Sequence, residues 1–181
     1  MQRYGVVYAD IWMDGDYKKL SVEAKYVYLY LLSSPHSNMA GYYSLPDEYA
    51  AYDLGMKDTD YRKAVAELSE SGFVFAKKNR ILVRSYLKHN PVHNDKQAKG
   101  AWNSVDRQPL DQLTVEFTHA CLLYAPSIVQ YMSKEWIRFL YDHHVTEAGI
   151  DISLKLAALR EDYALLLKNM SSNRDRTEAE Q

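Results

Sequence analysis

Between Ser21 and Pro35 the chain reads Val-Glu-Ala-Lys-Tyr-Val-Tyr-Leu-Tyr-Leu-Leu-Ser-Ser, and no other stretch constrains the fold as strongly. Val22, Tyr26, Val27, Leu29, Tyr30 and Leu32 recur at helical spacing, while Tyr28 and Leu31 fill the remaining faces. A helix that is apolar nearly all round has to be wrapped by other elements, so this segment predicts the central helix of its module. Ser21 can cap its N-terminus and Glu23 suits its first turn. Ser33, Ser34 and Pro35 end it, because proline disfavours a helical residue ahead of it and cannot extend the hydrogen-bond ladder.

The wrapping elements follow in order. Gly41, Tyr42 and Tyr43 read as a short extended segment, and Pro46 opens a second helix with Asp47 and Glu48 in its first turn. Leu45, Tyr49, Ala50 and Leu54 form its expected buried face, and Gly55 is its C-cap. A third helix starts near Asp58 or Thr59 and places Tyr61, Ala64, Val65 and Leu68 on one side. After Gly72 come two short strands, Phe73 to Ala76 and Ile81 to Tyr86, joined by a basic tip. Helix, strand, helix, helix and hairpin is the order of a winged helix. The expected fold is therefore mainly α with a small β-hairpin wing: a winged helix-turn-helix over residues 1–90, followed by a helical C-terminal region. Residues 91–109 read as a linker or crossing segment anchored by Trp102, residues 110–170 as the helical region, and residues 171–181 as a tail too polar to pack. Within the helical region, three stretches are expected: Leu110 to Tyr124, Ser127 to His144 and Asp151 to Met170.

Composition narrows the function classes. The chain has 181 residues and is 47% apolar, as ordinary globular proteins are, but its sixteen tyrosines are many for this length. Tyrosine suits half-buried surfaces and interfaces. A single cysteine, Cys121, excludes an intramolecular disulfide framework and a cysteine-based zinc cluster. With no secretory leader pattern and no apolar run long enough for a bilayer, a cytoplasmic protein without a membrane partner is expected. There is no glycine-rich phosphate loop and no hydrolase or zincin motif, so neither an enzyme nor a cofactor is expected. Asp10, Asp14 and Asp16 read as turn residues before they read as a Mg²⁺ site. Of the histidines, Pro91 separates His89 from His93 and the adjacent His143 and His144 face different ways, so no metal is expected.

Net charge is −2, yet residues 1–100 carry fourteen Lys and Arg against twelve Asp and Glu, leaving eight against twelve for the remainder. Any nucleic-acid partner must be held by a local patch. Arg62 and Lys63 project from the third helix away from its apolar side, with Lys57 just ahead, and Lys77, Lys78 and Arg80 cluster on the hairpin, expected to point outward. These six are the candidate DNA-binding residues, with double-stranded DNA as partner. The competing reading is a solvated mixed-charge helix face, with Asp58, Asp60, Glu67 and Glu70 nearby, and edge lysines that only deter aggregation. In the last helix, Ile152, Leu156, Leu159, Tyr163, Leu166 and Met170 form a short heptad seam. It predicts a homo-oligomer interface or, equally, packing within the chain.

DIWMDGDYKKLSVEAKYVYLYLLSSPHSNMAGYYSLPDEYAAYDLGM followed by LSESGFVFAKKNRILVRSYLKHN resembles the N-terminal domain of phage and prophage replisome organisers of Gram-positive bacteria, the DnaD-like replication initiation proteins. Trp12 and Asp14 precede the first helix as in that family, LYLLSSPHSN is similar to its helix end, Gly41, Tyr43, Leu45 and Pro46 stand at its G-x-Y-x-L-P motif, and Tyr86 to Asn90 resemble its closing motif. The resemblance covers about half of the chain. It implies a replication initiation protein that marks an origin and helps recruit the helicase or its loader, with the winged helix used either for DNA or for self-association. Two other readings stay open: an oligomerising adaptor that binds protein, and a transcriptional regulator similar to the GntR type.

Overall fold

The computed structural model describes residues 5–143 together with residues 146, 147, 150–152, 155, 156 and 168. It is mainly helical with a small antiparallel sheet. A 3-10 turn over Ala9–Met13 leads into a short α1 (Gly15–Lys19), whose N-terminus Asp14 caps by accepting from the Asp16 and Tyr17 amides. The central helix is α2 (Val22–Ser33), capped by the Ser21 hydroxyl on the Ala24 amide. Strand β1 (Tyr42–Ser44), α3 (Asp47–Leu54), α4 (Asp58–Glu70), β2 (Val74–Lys77) and β3 (Arg80–Val83) follow. Gly55 closes α3 in the left-handed conformation. At the start of α4 the cap position is Lys57, ahead of both Asp58 and Thr59, and no side chain caps it.

The sheet runs β1-β3-β2, all antiparallel. Because side chains alternate across a strand, Tyr43, Val74, Ile81 and Val83 face a core shared with Val27, Leu31, Ala50, Tyr61 and Leu68 of α2, α3 and α4. Tyr42 and Leu82 face the opposite way, into a second core. This double burial is why β3 reads Ile-Leu-Val without polar alternation. Gly41 sets the entry into β1: its φ is +67°, and a Cβ there would lie 2.3 Å from Cγ of the buried Tyr86. Only glycine meets both demands.

The second core is built by α5 (Tyr86–His89), α6 (Asp95–Asn103), α7 (Gln112–Tyr124), a 3-10 turn over Pro126–Tyr131 and α8 (Lys134–Asp142). Its aromatic chain runs from Tyr42 to Phe117 to Trp136 to Trp102, with ring centroids 5.0–6.1 Å apart. Trp136 donates its indole N–H to Thr118, and Thr118 donates to the Thr114 carbonyl, so these two buried donors are partnered, whereas the buried His119 Nε2 of α7 has no partner among the described residues.

Several sequence expectations change: the second hairpin strand, expected to run to Tyr86, ends at Val83 and Tyr86 opens α5, and Tyr49, expected on the buried face of α3, is 60% exposed. The polar segment 91–109 contains the helix α6, capped by Asn94, with Ala98, Ala101 and Trp102 buried. The single helix expected over Ser127–His144 is a 3-10 turn and then α8, because the Ser133 hydroxyl caps a new helix on the Trp136 amide. The last helix was expected from Asp151, but Ile150–Asp151 pairs with Thr146–Glu147 as a two-residue ladder and the helix starts at Ile152.

Candidate nucleic-acid interface

Helix α4 turns Tyr61, Ala64 and Leu68 inward and leaves Thr59, Arg62, Lys63 and Ala66 exposed along one stripe. Its position is fixed from α2. The Glu67 carboxylate accepts the Ser21 hydroxyl at 2.6 Å and the Ser21 amide at 2.7 Å. Those bonds, the hydroxyl's first, hold the Glu67 carboxyl below the usual glutamate range. Glu67 is thus a structural acid, while Asp58 and Asp60 of the same helix are ion-pair partners and Glu70 is exposed. Arg62 reaches Asp47 at 2.8 Å and Asp58 at 4.0 Å, and Lys63 lies 4.0 Å from Asp60. The Arg62 and Lys63 side chains remain 57% and 82% exposed, and pairs this open contribute only about 0–1 kcal/mol, so either cation can exchange its partner for a phosphate. Lys57, also exposed, forms no ion pair among the described residues.

The hairpin turns at Lys78 and Asn79, both with positive φ (47° and 59°), as a two-residue type I′ loop requires. The Asn79 carbonyl accepts the Leu45 amide at 2.7 Å and ties the tip to the end of β1. Alternation then decides where the cations go. Lys77 and Arg80 are cross-strand partners on the same face as Leu82, which is the face covered by the second core.

Arg80 therefore corrects the expectation that the whole tip points outward. Its side chain is 7% exposed, it pairs with the Asp111 carboxylate, and Nη1 donates to the Tyr42 hydroxyl at 2.8 Å. Lys77 is 44% exposed and leans on the same carboxylate at 3.3 Å. Asp111 also accepts the Leu113 amide, while its own amide donates to Thr114, a capping box at the start of α7. Burial pushes the Asp111 carboxyl up, but the hydrogen bonds from Arg80, Leu113 and Lys77 outweigh it and the net pKa is lowered. Of the three hairpin cations, Lys78 alone is exposed and without an ion pair among the described residues.

Two grooves flank the tip. Arg62 and Asp47 line the one on the α4 side, and Asn103, Arg107 and Gln108 line the other, with Lys78 in the wall of both. Sequence reading missed Arg107 because its neighbours are polar and Asp106 precedes it. The apolar spacing Ala98, Ala101, Trp102, Val105 was the signal that an ordered helix and turn hold it.

Ile152 and Leu156 are fully buried in the second core of the same chain, so they are not available to another copy, and the interface expected at them is corrected to internal packing. Leu159, Tyr163, Leu166 and Met170 lie outside the described residues. Asp14 is a helix cap and Asp16 pairs with Lys19 at 2.8 Å. No group of three metal-ligand side chains gathers among the described residues, and none of their helices is long and apolar enough to cross a membrane. No protein-family model matches the chain, and no curated protein or solved structure matches it.

Proposed function

We propose that the chain is a DNA-binding protein in which residues 5–90 act as a winged helix, α4 entering the major groove and the β2–β3 hairpin serving as the wing. The observation that carries this reading is the combination of element order, the sheet order β1-β3-β2, and an outer face of α4 left uncovered with Thr59, Arg62, Lys63 and Ala66 on it. The process comes from the resemblance: a phage or prophage replisome organiser that marks an origin and helps bring in the helicase or its loader. The contact is modestly charged. Lys57, Arg62, Lys63 and Lys78 are its cations, Lys77 is shared with Asp111, and Arg80 serves the fold.

A titration of origin-derived and random duplexes at several salt concentrations tests the reading, since phosphate contacts make log affinity fall with log salt. Arg62→Ala with Lys63→Ala should keep most of the random-duplex affinity and lose the preference for the specific site, because α4 reads base edges. Equal losses on both DNAs would move these residues to the backbone. A salt-independent wild type would favour the adaptor reading, for which there is one specific observation: Val22 and Tyr26, 77% and 50% exposed, flank a groove that reaches Met56.

A further inference from the structure

Helix α6 buries Ala98, Ala101 and Trp102, so the opposite side, at spacings of three and four residues, carries Lys96, Lys99 and Asn103, all exposed. The helix holds one acid, Asp95, and it is occupied: it accepts from Gln130 Nε2 at 2.8 Å and from the Tyr131 hydroxyl. Neither lysine forms an ion pair among the described residues. From Lys96 to Asn103 the helix rises about 10 Å. That length matches about three phosphates of one strand, at about 3.4 Å of duplex axis each.

The stripe does not stop at the end of α6. Asn103 is in the wall of the groove beside the hairpin, together with Arg107 and Lys78, which are exposed and form no ion pair among the described residues. The Ser44 hydroxyl and the Gln108 side-chain amide add donors, whereas the Ser104 hydroxyl is already given to the Ala101 carbonyl, and the carboxylate there, Asp111, is already held by Arg80 and Lys77. Since Lys78 also lines the groove that leads to Arg62, the surface is continuous with the outer face of α4.

We propose that Lys96, Lys99 and Arg107, with Lys78, form a phosphate-tracking surface that carries duplex DNA beyond the α4 contact. This rests on the DNA-binding reading above. The occupant is a duplex backbone because the groove presents cations and donors but no aromatic side chain, whereas single strands are held by stacking on aromatic platforms. Lysines meeting phosphates carry no base information, so the surface adds affinity and leaves site choice to α4.

The test uses the full chain and anisotropy titrations of specific and random duplexes, and of a single strand, across salt concentrations. Lys96→Ala, Lys99→Ala and Arg107→Ala combined should make the slope of log affinity against log salt shallower by about two to three units. The affinity for both duplexes should fall by the same factor, leaving their ratio unchanged. Lys134→Ala with Arg138→Ala, exposed cations of α8, should leave the slope as it is. A wild type that binds duplex and a triple variant with an unchanged slope overturn the tracking surface alone. A triple variant that loses single-stranded DNA but not duplex overturns it as well. A wild type with no duplex binding at any salt overturns both this surface and the DNA-binding reading.

Discussion

Tyrosine carries much of the first core. Tyr17, Tyr28, Tyr43, Tyr61 and Tyr86 are buried there, and most of their hydroxyls reach a partner at the rim: Tyr43 donates to the Leu31 carbonyl at 2.7 Å, and Tyr28 lies 3.3 Å from the Ser85 hydroxyl. Tyr61 is the exception. Its hydroxyl is buried with no hydrogen-bond partner among the described residues, and burial, with the nearby Asp47 charge and Tyr30, drives its pKa far above the ordinary tyrosine value. An unsatisfied buried hydroxyl costs about 1–3 kcal/mol. Tyr61→Phe keeps the ring and removes that cost, so the expected outcome is unchanged or increased stability, by up to about 1–2 kcal/mol, in a denaturant titration. A loss above about 1 kcal/mol would mean that a bound water satisfies the hydroxyl. Nothing in the sequence distinguishes Tyr61 from Tyr43. Both are tyrosines on the inner face of an element, and only the position of the neighbouring carbonyl decides which hydroxyl is satisfied.

Between elements, the Arg80–Asp111 pair joins the hairpin to the cap of α7. Removing one partner of a largely buried pair strands the other charge, so Asp111→Asn should cost about 3 kcal/mol at neutral pH, at the low end for a broken buried pair because Asp111 is 17% exposed. The pH dependence has a definite sign. The folded-state pKa of Asp111 lies below its usual value of 3.8, so its contribution is complete above about pH 4 and is lost as pH falls through the folded pKa. Stability measured from pH 6 down to pH 2 should therefore show a shallower acid limb in Asp111→Asn than in the wild type. An identical limb would show that the pair adds nothing to folding. The basic tip was legible in the sequence as a run of cations, whereas its neutralisation was not. The acid lies thirty-one residues further on, and the strand register that turns Arg80 toward it follows from the two-residue loop.

At the scale of the whole chain, the sheet is buried on both faces, and Tyr42, Leu82 and Leu87 from the first ninety residues belong to the second core. Residues 5–90 alone would expose that apolar face. A fragment ending at Asn90 should therefore unfold at far lower denaturant than the full chain, or aggregate, and dispersion of its amide NMR spectrum together with sedimentation checks this. A soluble fragment as stable as the whole chain would show that the second core is dispensable to the first. The sequence by itself determined the central helix, the element order through β3 and the glycine and proline boundaries, because apolar periodicity, caps and φ restrictions act within a few residues. It also placed Trp102 as an anchor within a segment whose polar composition hid α6. Tertiary structure alone decided which cations stay free. Lys77 and Arg80 are drawn to Asp111, Arg62 to Asp47, and Arg107 is brought to the same groove as Lys78, since ion pairing and groove formation depend on which distant residues the packing brings together.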